Sequence, residues 1–224
     1  MAADERELHI AWRRHVGTGH DAERWFDDIV SWQRAPGRHY HDVRHVRWVV
    51  DHARRLAAER TLTTDQIDRL VAAAFFHDVV HDARRDDNEI ASAAVARRAL
   101  TELDWPVDAI DHVAAMIAAT AEHGPVHDET TAVLLAADLA VLAADPARYG
   151  DYLRAVRREH AHLDDRAWAA GRAAFVRSTL ARDTIFPAAL GLDAWERRAR
   201  ANLTAELAAA TVSGGRDGSD AREP

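Results

Sequence analysis

Two adjacent His-Asp pairs, His77-Asp78 and His81-Asp82, follow an apolar segment of the sequence. Imidazole and carboxylate groups are costly to remove from water unless a partner satisfies them, and a divalent cation can bind both. The sequence has no cysteine, so a metal site must use nitrogen and oxygen ligands. A metal centre is therefore the first hypothesis for this stretch.

A third carboxylate, Asp138, lies in the middle of the apolar run 134–142. An ionised carboxylate would be expensive to bury there without a cation or strong hydrogen-bond donors, and a buried pair with an arginine would also satisfy it. His45 by itself would equally fit an ordinary core or surface histidine. The metal hypothesis therefore depends on His45, His77, Asp78 and Asp138 acting together.

The segment 38–60 has the periodicity of a long helix and carries Arg38, His41, His45 and His52 at offsets of 0, 3, 7 and 14. These offsets predict that the four side chains share one helix face. Arg38 is a candidate for binding a substrate through its bidentate guanidinium, although a solvated arginine at the helix start is the alternative. We expect His41 to donate to a substrate or to bind a second metal, with a plain packing or surface role as the alternative.

Three further residues are candidates for the site. Asp82 and Glu89 follow the first His-Asp pair, and either could orient water or act as a general base. Asp82 could instead end the helix, and Glu89 could instead form a capping box with Asp86. His123 closes the predicted buried helix 107–123, and we expect it to line the pocket.

The elements that must position these residues are all predicted to be helices. Apolar residues recur at steps of three and four along the chain, and Thr63-x-x-Gln66 predicts a capping box at the start of the helix that leads to His77. Tryptophans in the N-terminal helices are expected to pack in the core. We predict an all-α single domain over residues 1–211 and a disordered tail over residues 212–224. The other predicted helices cover residues 88–103, 130–144, 149–162, 165–182 and 187–209, with Asp145-Pro146 starting the helix around 149–162.

Composition narrows the classes of function. The 224 residues carry 29 basic and 37 acidic side chains, a net charge of −8, and every basic side chain is arginine. The absence of lysine excludes Schiff-base chemistry and a phosphate-loop lysine, and an acidic chain without a basic stripe is a poor candidate for binding nucleic acid. We expect no membrane span and no signal peptide, and therefore a cytoplasmic protein. Exposed alanine-rich helical faces would suit a homodimer.

The order of His45, His77-Asp78 and Asp138 resembles the HD superfamily of metal-dependent phosphohydrolases. The resemblance covers residues 38–144, and it is closer to a bacterial branch of predicted HD-domain phosphohydrolases. The segments that carry it are Arg38-His-Tyr-His-Asp-Val-Arg-His45, Phe76-His-Asp-Val-Val-His-Asp82, Asn88-Glu-Ile-Ala-Ser-Ala93, Thr120-Ala-Glu-His123 and Asp138-Leu139.

The resemblance implies an HD-type helical bundle in which His45, His77, Asp78 and Asp138 hold a divalent metal ion: manganese, magnesium, iron, nickel, cobalt or zinc. It also implies hydrolysis of a phosphate ester or anhydride of a small molecule, with nucleotides among the candidates, by metal-activated water. Many nucleotide-cleaving relatives place a glutamate or Glu-Asp after the first pair, where this chain has His81-Asp82, so their substrate and base do not transfer directly.

Two other functions fit the same resemblance. An HD-type di-iron oxygenase would use additional histidines as iron ligands, and His41 and His123 could serve in that role. A non-catalytic sensor domain would keep the fold and bind a metal or a nucleotide without turnover. Metal content and the reaction observed would separate these classes.

Overall fold

The computed structural model describes residues 3–124, 126 and 128–214. These residues form ten α-helices, joined by turns and two short 3₁₀ helices, and contain no β-strand. The predicted all-α fold is therefore confirmed. The α-helices are α1 (Ala3–His15), α2 (His20–Gln33), α3 (Val43–Ala58), α4 (Thr64–Phe76), α5 (Asn88–Glu102), α6 (Val107–Ala119), α7 (Glu129–Asp138), α8 (Pro146–Glu159), α9 (Asp165–Leu180) and α10 (Asp193–Gly214), and the 3₁₀ helices are Leu139–Ala143 and Ala188–Leu190.

The chain divides into two compact units, Met1–Ala140 and Val141–Pro224. The first unit contains α1 to α7, and the second contains α8 to α10. The prediction of a single domain over residues 1–211 stays a prediction. Of the predicted tail, residues 212–214 are the end of α10, and residues 215–224 lie outside the described part of the chain.

Helix α4 is the central element of the first unit, where it packs against α1, α3, α5, α6 and α7. Every residue from Leu70 to Phe76 is buried. The indole of Trp12 stands edge-on to Phe75, with ring centroids 5.2 Å apart, and its N–H donates to the carbonyl of Ala22 at 3.0 Å. Trp12 and Trp25 are fully buried, as expected of tryptophans in the core.

The first turns of α4 and α5 test two predicted capping boxes. Thr63 accepts from the backbone N–H of Gln66, and the Gln66 side chain bonds back to Thr63, so the first capping box is confirmed. The second, from Asp86 to Glu89, is wrong. Asp87 is the N-cap residue of α5 without a side-chain cap, because its carboxylate pairs with the guanidinium of Arg85 at 2.8 Å.

Helix α3 begins later than the spacing predicted. Asp42 is its N-cap and accepts from the backbone N–H groups of Arg44 and His45, so the helix starts at Val43. Arg38 and His41 therefore lie in the preceding turns, and the prediction that they share a helix face with His45 is wrong. The capping carboxylate stops the helical pattern, although the apolar spacing would allow it to continue.

Two other predicted helices are also shorter. Helix α6 ends at Ala119, and His123 follows it with a φ of 49°, in the left-handed region where a non-glycine residue carries strain. Helix α7 ends at Asp138 and continues as the tighter 3₁₀ helix Leu139–Ala143. Both changes place a candidate site residue at or just beyond the end of a helix.

In the second unit, helix α10 packs against α9 around buried apolar residues such as Val176 and Leu203. The half-buried guanidinium of Arg172 on α9 pairs with the carboxylate of Glu206 on α10 at 2.8 Å. Asp145 caps α8 by accepting from the N–H of Arg148, with Pro146 in the first turn, which confirms the predicted start of that helix.

Among the described residues, no single helix combines the length and the apolar composition that crossing a membrane requires. One bent pair of segments, Glu129–Ala143 with Pro146–Glu159, meets that test when taken together, by length and composition alone. Residues Thr130 to Ala137 of this pair are buried inside the protein.

Replacing Thr63 with alanine should lower the free energy of unfolding by about 1 kcal/mol, because the first turn of α4 loses its side-chain cap. Urea unfolding followed by circular dichroism measures the change. The control is Thr61→Ala, which alters an exposed threonine in the preceding turn and should change stability by less than about 0.5 kcal/mol. Equal effects of the two substitutions would contradict the capping role.

Candidate metal centre

The four predicted ligands come from the ends of three helices. His45 is the third residue of α3, His77 and Asp78 follow the last residue of α4, and Asp138 is the last residue of α7. These helices pack against one another in pairs. One ligand atom of each residue lies within 4.8 Å of all the others, so the structure brings together the predicted set.

The ligand atoms are closer to one another than that limit. The Nε2 atoms of His45 and His77 are 3.1 Å apart, and Oδ2 of Asp78 lies 3.2 Å and 3.0 Å from them. Oδ1 of Asp138 lies 3.3 Å from Nε2 of His45 and 3.6 Å from Nε2 of His77. Both imidazoles are 1% exposed and the carboxylates are 14% and 16% exposed, so the cluster is nearly free of bulk water.

These separations fit a shared divalent cation. Ligands held about 2.1 Å from one ion are separated by about 3.0 Å in octahedral and about 3.4 Å in tetrahedral coordination. The donor set of two imidazole nitrogens and two carboxylate oxygens suits borderline and hard divalent ions. The cluster could therefore hold a divalent metal ion, whose identity the donor set leaves open.

The position of Asp78 favours a cation for a second reason. Asp78 lies just beyond the end of α4, so this anion is near the negative end of a helix dipole. An anion at that end is unfavourable by a few tenths of a kcal/mol to about 1 kcal/mol, in addition to the cost of burial. A positive partner at the cluster offsets both costs.

Hydrogen bonds behind the cluster orient two of its members. Nδ1 of His77 donates to the carbonyl of Ala74 at 2.9 Å, and because a carbonyl only accepts, the proton is on Nδ1 and the lone pair of the neutral ring is on Nε2. Nε2 of His123 donates to Oδ2 of Asp138 at 2.9 Å, which leaves Oδ1 turned toward the imidazoles. Outer partners of this kind fix the tautomer and orientation of metal ligands.

The four titratable groups of the cluster shift one another's pKa values. Burial disfavours the charged imidazole of His77, but Asp78 and Asp138 outweigh it and hold the pKa of His77 well above its ordinary value; the same carboxylates raise the pKa of His45 against burial. Burial likewise disfavours the ionised carboxylates. Neighbouring histidines nevertheless hold both carboxyl pKa values well below the usual range. His77 has the largest lowering effect on Asp78, and His123 has the largest on Asp138.

The predicted substrate-binding residues occupy different places. His123 contacts Asp138 rather than the centre of the cluster. The ring of His41 lies against that of His81, with centroids 4.0 Å apart, and 5.4 Å from that of His45. The guanidinium of Arg38 contacts backbone carbonyls. Their roles toward a substrate stay predictions.

The two predicted catalytic carboxylates lie outside the four-residue cluster. Asp82 is exposed and accepts from the backbone N–H of Arg84 at 2.9 Å, in an irregular segment rather than one helical turn beyond Asp78. Glu89 is half-buried in the first turn of α5. Whether either acts as a base stays a prediction.

Sequence reasoning missed the contacts of Asn88 and Ser92, although both residues belong to a segment that carries the family resemblance. Both side chains bond to the backbone that follows Asp78. Their spacing of four residues at a helix start was the only available signal, since nothing in the sequence shows which backbone groups they meet.

A protein-family model described as HD domain matches residues 42–164, more than half of the 224-residue chain. The chain belongs to the HD domain family. The HD domain is an all-helical fold, and most of its members are metal-dependent phosphohydrolases. The match includes all four cluster residues. Neither the comparison with curated proteins nor that with solved structures found a significant match.

Binding of Mn²⁺ to this HD domain should strengthen as the pH rises above about 6.5, by up to about tenfold per pH unit for each imidazole that must lose a proton. Binding needs neutral His45 and His77, whose pKa values are raised above 6.5 in the metal-free protein. Asp78 and Asp138, with lowered pKa values, are already ionised. Isothermal titration calorimetry in buffers of different ionisation enthalpy measures both the affinity and the protons released.

Protonated His45 and His77 also stabilise the folded protein when no metal is bound. This contribution is complete below about pH 6.5, and it is lost as the pH rises through the raised pKa values of the folded state. The increase in melting temperature caused by Mn²⁺ should therefore be larger at the higher pH. As a control, His112→Gln, which changes a histidine paired with Asp128, should keep the same pH dependence. An affinity that is independent of pH, with no proton release, would contradict the assignment.

Proposed function

We propose that this chain hydrolyses a phosphate ester or anhydride of a small molecule in a reaction that depends on a divalent metal ion. The observation that carries the proposal is the cluster itself, in which each imidazole Nε2 lies 3.0–3.6 Å from the other and from one oxygen of each carboxylate. Membership of a family composed mostly of metal-dependent phosphohydrolases supports the same reaction class.

His45, His77, Asp78 and Asp138 would hold the metal ion in the proposed site. When bound, a divalent cation supplies a Lewis acid that polarises a phosphoryl oxygen and lowers the pKa of a water molecule. The two carboxylates supply the negative charge that retains the cation. The hydrogen bonds from His77 to Ala74 and from His123 to Asp138 fix the orientation of Nε2 of His77 and Oδ1 of Asp138 in advance of metal binding.

Proton transfer requires further groups near the cluster. In the proposed reaction, either Asp82 or Glu89 accepts the proton from water. His41, whose ring centroid is 5.4 Å from that of His45, donates to the substrate. The proposed substrate is a small phosphorylated molecule, with nucleotides as the first class to test.

The test is release of inorganic phosphate from a panel of nucleotides, sugar phosphates and aryl phosphates, with each of Mn²⁺, Mg²⁺, Fe²⁺, Co²⁺, Ni²⁺ and Zn²⁺ added in turn. Asp78→Ala should lower the rate by at least about 100-fold, because changes outside the ligand set alone typically cost 10- to 100-fold. Asp86→Ala, which removes an exposed carboxylate from the nearby loop, should retain the wild-type rate.

Two other outcomes would indicate a different function. Substrate-dependent oxygen uptake with two irons per chain would indicate the di-iron oxygenase instead. Tight binding of a metal or nucleotide without turnover in either assay would indicate a sensor domain. Equal phosphate release by the wild type and Asp78→Ala would show that the activity comes from elsewhere.

A further inference from the structure

The segment from Asp78 to Asp82 has no regular secondary structure, although it carries one predicted metal ligand and the second His-Asp pair. Backbone N–H and C=O groups that leave a helix need other partners, and without them a segment samples many conformations. The orientation of Asp78 depends on how this backbone is held. Side chains from two other parts of the first unit hold it.

The first turns of α5 provide two side chains that each bond to both backbone groups of one residue. Oγ of Ser92, which is fully buried, accepts from the N–H of Val80 at 3.1 Å and donates to its carbonyl at 3.3 Å. The amide of Asn88 accepts from the N–H of Asp82 at 3.0 Å and donates to its carbonyl at 3.0 Å. Each side chain therefore acts on the backbone as a neighbouring strand would.

The spacing of Asn88 and Ser92 lets both side chains reach the same segment. Residues four apart in a helix lie on one face and are separated by about 6 Å along its axis. One face of α5 therefore bonds to Val80 and Asp82 at the same time.

Arg38 holds the beginning of the same segment. Its NH1 donates to the carbonyl of Asp78 at 2.7 Å, and its NH2 donates to the carbonyl of Val79 at 2.8 Å. NH1 also contacts the side-chain oxygen of Gln33 at 3.0 Å, which ties the guanidinium to the end of α2. A charged donor gives stronger bonds to carbonyls than a neutral one.

We infer that Arg38, Ser92 and Asn88 form a backbone clamp that sets the position of the Asp78 carboxylate in the metal centre and of the His81-Asp82 pair beside it. They are positioning residues, since they act through the backbone of the segment. The inference rests on the proposed metal centre. It gives a function to Asn88 and Ser92, which have no other assigned role.

The experiment measures Mn²⁺ affinity by calorimetry, and amide hydrogen exchange of the metal-free protein by NMR, for the wild type, Ser92→Ala and Asn88→Ala. We expect about tenfold weaker Mn²⁺ binding in both variants, at the lower end of the effect of outer-sphere changes. We also expect exchange to become at least about tenfold faster at Val80 in Ser92→Ala and at Asp82 in Asn88→Ala. The amide of His77, bonded to the carbonyl of Ala73, is the internal reference.

The matched control is Thr101→Val, which removes the hydroxyl of an exposed threonine on the same helix. That hydroxyl donates to the carbonyl of Arg97 at 2.7 Å. Its Mn²⁺ affinity and its exchange at Val80 and Asp82 should remain within about twofold of the wild type. Asn88 is half-buried, so Asn88→Ala keeps the test valid if the buried Ser92→Ala variant does not fold.

The outcomes separate the clamp from the metal centre. If the wild type binds Mn²⁺ and both variants bind it equally well, the clamp inference is overturned and the proposed function stands. Faster exchange at all amides, including that of His77, would show a loss of global stability and would also overturn it. If the wild type binds no divalent metal, the proposed function fails together with the inference.

Discussion

Two carboxylates face two imidazoles in a space that water barely reaches. The first unit must compensate the free-energy cost of burying these charged groups. An uncompensated charge at a buried site costs several kcal/mol, and removing one partner of a buried pair typically costs about 3–5 kcal/mol. Asp78 and Asp138 are 14% and 16% exposed, and Asp78 also lies just beyond the negative end of α4. Protons on His45 and His77 or a divalent cation can supply the compensation, and the two compete for the same nitrogen atoms.

The helices deliver these groups because of where they end. Asp42 starts α3 so that His45 lies in its first turn, and α7 ends at Asp138. Beyond α4 the chain is irregular, and bonds from Arg38, Ser92 and Asn88 replace the missing helical ones. His123 has the left-handed backbone conformation that costs energy for residues other than glycine, and its ring donates to the outer oxygen of Asp138. Local strain of about 1–2 kcal/mol persists only where surrounding contacts offset it, and it often marks a functional site.

Much of this arrangement could be predicted from the sequence. Apolar periodicity predicted the helices, and the burial of Asp138 among leucines and alanines predicted a charged partner. The start of α3 could also have been found, since Asp42 directly precedes Val43 and is a preferred capping residue. Periodicity upstream of it continued without a break, so Arg38 and His41 were assigned to the wrong element. The bonds of Ser92 and Asn88 could not be predicted, because they join a helix face to a backbone whose path depends on the tertiary fold.

The most direct test of the metal centre is a crystal structure of the protein grown with Mn²⁺, with anomalous scattering recorded near the manganese edge. The account predicts one strong peak about 2.0–2.3 Å from Nε2 of His45, Nε2 of His77 and one oxygen each of Asp78 and Asp138. A fully occupied manganese peak elsewhere in the molecule, or a manganese-free cluster at saturating Mn²⁺, would contradict it.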